Sequence, residues 1–465
     1  MKIVFSGLNA GVPYQGVRIF ELIVKLITDS LDYDRFGGKN THLIKELSAR
    51  MVQLSSRNDE AKCEALRSRD SRICCCRSFV AHPKVGKTFE QGGIRRGRSS
   101  HRREQLIEKY EYHGETHEVV TEDGYILEMH RITGPNSDRS PEGKQPILLM
   151  HPLLSCSADW ILIGPGKAFG YILADEGYDV WMGNVRGNRY SLKHKNYTTM
   201  DKEYWQFSWH EIGVRDLPAM IDYILEKTSK KQLIYTGHSQ GTTAFWVMAS
   251  ERPEYQNKVK AMFAFAPVAY LTHTRSPFYH FVKVSSLLGF HEFEPMNGVI
   301  KDIAGLACKD TAWTQPACTN IIFLIAGFGS DQLNATMLPV ILGHIPAGAS
   351  VKQVIHYLQL VKAGRFQQYN YGIIGNLMKY KRLRPPVYDL SKIRVPVSLH
   401  YGQNDALSVP QDVERLYKEL PNPIGIFKVP HDKFTHLDFV WANDGKQLLY
   451  DPVIEYQTGS NVFPV

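Results

Sequence analysis

A chain of 465 residues with 43% hydrophobic and 22% charged residues has the makeup of a folded globular protein, which excludes a fibre or a wholly disordered chain. No apolar run reaches the roughly 18 residues that span a bilayer, and the longest, residues 321–328, is far too short, so no integral membrane segment is expected. The net charge of +8 does not point to nucleic acid, because residues 1–103 carry 20 Lys+Arg against 10 Asp+Glu and the rest of the chain sums to slightly below zero.

Residues 1–102 read as a basic extension. Residues 17–27 are apolar but interrupted by Arg18, Glu21 and Lys25, which suits an amphipathic helix and lacks the unbroken core of a secretory signal. From Arg67 to Arg103 the chain is rich in Arg, Ser and Gly without periodicity, and a disordered linker is expected. Order is expected from Glu104, with a short helix over 105–112. Two strands, 117–121 and 125–131, flank Glu122-Asp123-Gly124 as a hairpin. Residues 146–151 form a continuous apolar run ending at Pro152, a buried strand.

A helix over 168–176, a strand over 178–182, a loop over 183–189 and a long helix over 209–228 follow. Then come a strand from Leu233, a helix over 243–250 and a buried run over 259–268. Strict alternation of strand and helix predicts an α/β fold with a mostly parallel sheet flanked by helices. The alternation breaks over 270–386, where helical stretches at 278–288, 319–328 and 351–363 predict a mainly helical cap inserted in the sheet domain. It resumes with a strand over 395–401, a helix over 411–419, a strand over 425–429 and a terminal helix from about Asp438. The expected organisation is therefore an extension (1–102), two parts of the sheet domain (103–269 and 387–465) and the cap (270–386) between them.

Seven cysteines are spread without the double-pair spacing of a zinc site, so no metal is expected. Cys63, Cys74, Cys75 and Cys76 lie in the extension, and Cys156 in the main body. Cys308 and Cys318, with nine residues between them, are by spacing either a small disulfide loop or two buried thiols.

The chemistry centres on Gly237-His238-Ser239-Gln240-Gly241, which lies between a strand and a helix start. A serine at such a turn is held strained with its hydroxyl above the sheet edge, the nucleophile elbow of an α/β-hydrolase sheet. Its hydroxyl needs a base, and the base needs a carboxylate, in that fold in the order serine, acid, histidine. Asp405 follows the strand over 395–401 and His436 follows the strand over 425–429, each in a loop. His431 occupies the same loop as His436 and is its rival. His238 is expected to pack or make a polar contact, and Asp412, on the next helix, to be a surface charge.

Gly237 to Thr243, His151-Pro152-Leu153-Leu154 with Asp159-Trp160, and Gly177 to Trp181 together resemble the acid lipase family. So do Gly183-Asn184 with Arg186-Gly187-Asn188, and His436-Leu437-Asp438-Phe439-Val440-Trp441. The similarity covers about 105–456, includes Thr121 to Leu127, and is nearest to insect members. It implies an α/β-hydrolase that cleaves neutral-lipid esters without a cofactor, with the cap making transient contact with a lipid surface. By position it implies Ser239 as nucleophile, Asp405 as acid and His436 as base, with Leu153 and Gln240 backbone N–H groups as the oxyanion hole. It also implies a Cys308–Cys318 disulfide, and a secreted or lysosomal glycoprotein in which the sequons at Asn196 and Asn334 are used, although no clear signal segment is visible. Pro152 departs from the family's usual glycine and leaves the Leu153 donor in place. Two other readings stay open on these residues: a non-catalytic lipid-binding protein on the same fold, and a short-chain carboxylesterase.

Overall fold

The computed structural model describes residues 107–276 and 330–458. The extension with its four cysteines, the helices expected over 278–288 and 319–328, and Cys308 and Cys318 lie outside the described residues.

The predicted hairpin is present and longer than expected. Strands β1 (Tyr112–Val120) and β2 (Tyr125–Pro135) pair antiparallel through Val120 and Ile126, and Gly124 turns the chain at φ 96°. The remaining strands are β3 (Pro146–Met150), β4 (Asp179–Gly183), β5 (Lys193–His194), β6 (Leu233–His238), β7 (Val259–Phe265), β8 (Val397–Tyr401) and β9 (Pro423–Lys428). They form one sheet in the order β1-β2-β4-β3-β6-β7-β8-β9, with β5 on β2. From β4 to β9 every neighbouring pair is parallel, as alternating strand and helix signals predict. β5, two residues long, carries no signal in the sequence.

Both faces of this sheet are covered, which is why β3 reads as unbroken apolar residues. Leu148 and Met150 join Trp181, Trp246 and Met220 on one face, while Ile147 and Leu149 join Phe169, Phe265 and Tyr450 on the other. The first face is closed by α2 (Leu217–Thr228), α3 (Gln240–Glu251) and α7 (Pro410–Glu419). The second is closed by α1 (Phe169–Asp175) and by the C-terminal α8 (Asp438–Trp441) and α9 (Asp451–Thr458). Between β7 and β8 the described chain contributes α4 (Leu338–His344), α5 (Val351–Ala363) and α6 (Gly372–Tyr380). α5 matches its predicted span, with Ser350 accepting from Lys352 N–H at its start and Gly364 leaving it at φ 59°.

Two expectations are corrected. The single helix expected over 209–228 is broken: a turn at Trp209–Glu211 runs into a π stretch, Ile212–Asp216, before α2. Gly213 there lies so close to α3 that a Cβ would sit 2.6 Å from Val247 Cβ, and the widened turn aims Asp216 at Arg186. The terminal helix from Asp438 is only four residues long before the chain turns and continues as a π stretch, Lys446–Tyr450, into α9.

Candidate active site

Four loops at the carboxyl ends of parallel strands hold the residues singled out in the sequence. Leu153 follows β3, Ser239 follows β6, Asp405 follows β8 and His436 follows β9. β3 and β6 are neighbours, and their last pairing sets Met150 opposite Gly237.

Ser239 has φ 52° and ψ −111°, the left-handed geometry that a serine adopts only under constraint. Its N–H donates to Phe265 O at 3.0 Å, and its own carbonyl accepts from Thr242 N–H at 2.9 Å and Thr242 Oγ1 at 2.6 Å. The flanking glycines are required by space. A Cβ on Gly237 would lie 2.7 Å from Gly241 C, and one on Gly241 would lie 2.3 Å from Met150 O. Thr242 Oγ1 also accepts from Val268 N–H at 2.9 Å and Thr243 Oγ1 donates to Val268 O at 2.7 Å, tying the helix after Ser239 to the loop after β7.

Asp405 is fully buried, and both of its oxygens are used. Oδ1 accepts from the Leu407 and Ser408 N–H groups at 2.8 Å each, and Oδ2 accepts from His436 Nδ1 at 2.7 Å. That bond fixes the His436 tautomer and leaves Nε2 as the acceptor nitrogen, buried and without a partner among the described residues. The loops of Asp405 and His436 meet because Gly402 has no side chain: a Cβ would lie 2.5 Å from Phe434 O. His431 pairs instead with Asp331 at 3.0 Å, so geometry favours His436 over its rival.

His238 makes the polar contact expected of it. Its Nε2 donates to His436 O at 2.8 Å, so the residue before the elbow serine grips the backbone of the histidine loop. Burial and the neighbouring His436 hold the His238 ring well below the usual histidine range, hence uncharged. Asp412 corrects its expectation. It is buried rather than on the surface, and accepts from His273 N–H at 2.9 Å and His273 Nδ1 at 2.7 Å, because the inward face of α7 carries it to the segment after β7.

The loop after β3 is stiff. His151 Nδ1 donates to Pro152 O at 2.7 Å, and Nε2 accepts from Val185 N–H at 3.3 Å and Asn188 Nδ2 at 3.2 Å. Burial pushes this ring down to about 4, so it stays neutral in that tautomer. Leu154 has φ 64°, and its carbonyl accepts from Ala347 N–H at 2.6 Å. Leu153 and Leu154 pack beneath Val351 and Val354 of α5. Neither the Leu153 nor the Gln240 N–H has an acceptor among the described residues, and Gln240 opens α3, where backbone donors have no intrahelical partner.

Several residues of the site carried no sequence signal. Arg275 donates through N–H to Ala406 O at 2.8 Å and through Nη2 to Asp405 O at 3.0 Å, bracing the acid loop from a distant part of the chain. Tyr357 of α5 donates to Thr243 Oγ1 at 3.0 Å, and Gln353, one turn earlier, is fully buried with neither amide atom partnered among the described residues. Of the two sequon asparagines, Asn196 is exposed beyond β5. Asn334 is half-buried, its Oδ1 accepting from Thr336 N–H at 3.1 Å and Thr336 Oγ1 at 2.7 Å.

Comparison with known proteins agrees with this fold. A partial alpha/beta-hydrolase lipase region matches residues 103–164, and the alpha/beta hydrolase fold matches residues 145–286. Lipase 3 of Drosophila melanogaster is 43% identical, covering 75% of this chain and 91% of its own length. Lipase 1 of the same organism is 43% identical, with 76% and 78% covered. Gastric triacylglycerol lipase of Homo sapiens is 40% identical, with 75% and 89% covered. A crystal structure from Sulfolobus solfataricus, at 11% identity and a TM-score of 0.51 over 76% of this chain and 95% of its own, shares the fold. Identity at this level over three-quarters of the chain, on a sheet that ends four parallel strands in these loops, makes the chain a member of the acid lipase family of α/β-hydrolases and an ester hydrolase.

Proposed function

We propose that this chain cleaves the carboxylic ester bonds of neutral lipids, triacylglycerol among them, through an acyl-enzyme on Ser239. The observation that carries this reading is the 2.7 Å bond from His436 Nδ1 to buried Asp405, which leaves Nε2 unpartnered in a loop gripped by the residue next to the elbow serine. His436 Nε2 takes the proton of Ser239 Oγ as that oxygen bonds to the ester carbonyl carbon. The carbonyl oxygen becomes an oxyanion that accepts from the Leu153 and Gln240 N–H groups, two donors without another acceptor among the described residues. Collapse breaks the bond to the alcohol, which leaves with the proton from His436. Water, deprotonated by His436, then releases the fatty acid and regenerates Ser239.

The lipid substrate is supported by the relatives, one of which is named a triacylglycerol lipase at 40% identity. The insertion at 270–386 is read as a cap over the acyl pocket that touches the lipid surface. Its contact with the oxyanion loop through Val351 and Val354 supports this. Secretion or lysosomal residence, with glycans on Asn196 and Asn334 and a Cys308–Cys318 disulfide, completes the proposal. No helix among the described residues is long and apolar enough to cross a membrane.

The test is labelling of the purified protein with a fluorophosphonate, mass spectrometry of the labelled peptide, and turnover of emulsified triacylglycerol and of a dispersed short-chain ester. Label on Ser239 and loss of both activities in Ser239→Ala are expected. Full activity in that variant overturns the mechanism, and turnover of dispersed ester alone replaces lipase with carboxylesterase.

A further inference from the structure

Helix α6 is built inside out. Its single buried residue is the polar Asn376, whose Oδ1 accepts from Tyr371 N–H at 2.9 Å and whose Nδ2 donates to Asn370 Oδ1 at 2.8 Å and Leu383 O at 3.0 Å. Its apolar residues face solvent: Ile373, Ile374 and Met378 are 68%, 75% and 73% exposed, and Leu377 lies among them. Positions i, i+1, i+4 and i+5 share one side of a helix, so these four form one continuous stripe. The helix sits at the tip of an excursion that leaves and returns through a bridge between Gln367 and Val387. It is anchored below by the Tyr380 hydroxyl donating to Tyr369 O at 2.8 Å, and by Lys352 Nζ donating to the Tyr371 hydroxyl at 3.1 Å. Lys352 belongs to the first turn of α5, the turn whose Val351 and Val354 cover Leu153 and Leu154.

The flank of the stripe is cationic. No Asp or Glu occurs between Arg365 and Tyr388, and Lys381, Arg382 and Arg384 are exposed just past the helix with no carboxylate partner among the described residues. An exposed apolar stripe of this size needs an occupant, and its charge says which. A second copy of the same face would set these cations against one another, and the basic extension, with 20 Lys+Arg against 10 Asp+Glu over 1–103, would be repelled as well. A lipid surface with anionic headgroups meets both requirements, since it takes the apolar side chains into its acyl boundary and the cations at its headgroups.

We propose that α6 and the basic segment after it dock this protein on anionic lipid surfaces. The inference rests on the lipid-ester reading above and deepens it by assigning the surface contact to α6 and giving it a charge preference. Docking there seats the protein through α6, next to the α5 turn that covers the oxyanion loop.

The test is co-sedimentation of the full chain with phosphatidylcholine vesicles and with phosphatidylcholine vesicles containing phosphatidylglycerol, for wild type, Ile374→Ser/Met378→Ser and Lys381→Glu/Arg382→Glu/Arg384→Glu. All of the altered side chains are exposed, and turnover of a dispersed short-chain ester should be unchanged in both variants. Wild type should favour the anionic vesicles and lose binding with added salt. The apolar variant should bind about tenfold or more weakly, and the charge-reversed variant about a hundredfold more weakly. Equal binding to both vesicle types, or unchanged binding in both variants, overturns the proposal and moves the contact elsewhere, the basic extension included. A wild-type dimer that Ile374→Ser dissolves, without vesicle binding, overturns it in favour of self-association. If no form hydrolyses dispersed ester while vesicle binding follows the expected pattern, the docking surface stands and the chemistry assigned to Ser239 falls.

Discussion

Gly241 shows how little room the elbow has. An added methyl group would press on the Met150 carbonyl at 2.3 Å, and backbone at the heart of a sheet cannot step aside as a side-chain tip can. Gly241→Ala should lower stability by about 1–3 kcal/mol and cut ester turnover, read by thermal unfolding and by initial rates. A normal Tm and normal rate would mean that the strand and helix are not in this contact. Asp405→Asn tests the other arm. It keeps the shape of the side chain but loses the acceptor that orients His436, so kcat should fall by about 10⁴ with the fold intact. Much at this scale was legible in the sequence. The glycines flanking Ser239 announce a crowded turn, and a serine, an aspartate and a histidine follow in the chain order of an α/β-hydrolase sheet. Asp412 was misjudged because its position on a helix does not say which face is inward, and Arg275 was missed because nothing local marks a side chain that braces a loop 130 residues away.

Between elements, Arg186 joins three parts of the chain. From the loop after β4 its Nε donates to Asp216 Oδ1 at 2.7 Å, its Nη1 donates to Asp123 Oδ2 in the β1–β2 turn at 2.6 Å, and its guanidinium lies 4.0 Å from the centre of the Tyr125 ring. Arg186 and Asp216 are buried and Asp123 is half-buried, and the two carboxylates keep the guanidinium charged there. Arg186→Met should cost about 3–5 kcal/mol, because Asp216 would be left buried without its counter-ion. Restoring most of that loss by adding Asp216→Asn would identify the uncompensated charge as the cause, and failure to restore it would point to lost packing. The elements themselves were readable wherever apolar residues recur at the period of the structure they form. α5 matches its predicted bounds for that reason. α6 escaped because its apolar residues answer to solvent and its inward contact is an asparagine, preceded by Gly372 and Gly375, which argue against a helix.

For the molecule as a whole, pH dependence follows from a carboxyl sealed in the core. Burial pushes the Asp159 carboxyl up to about 7, against the opposing hydrogen bond from the Ser155 hydroxyl. The folded state therefore holds this proton more tightly than the unfolded chain. The stability it contributes is fully present below the ordinary value of 3.8 and is lost as pH rises through about 7. Asp159→Asn should remove that dependence. Across a series of Tm measurements from acid to neutral pH, wild type should lose stability through the window and the variant should lose less. Parallel profiles would mean that Asp159 is not the titrating group.

The sequence by itself determined the alternation of buried strands and amphipathic helices, and hence a parallel sheet whose carboxyl edge carries the reactive loops. Periodicity and glycine placement are local properties, set by residues a few positions apart. Tertiary structure alone decided which histidine meets Asp405, since the two are 31 residues apart and join only where Gly402 lets one loop lie against the other. It also decided that the apolar stripe of α6 faces outward, because a period says that a helix has two faces and only the packed chain says which one is covered.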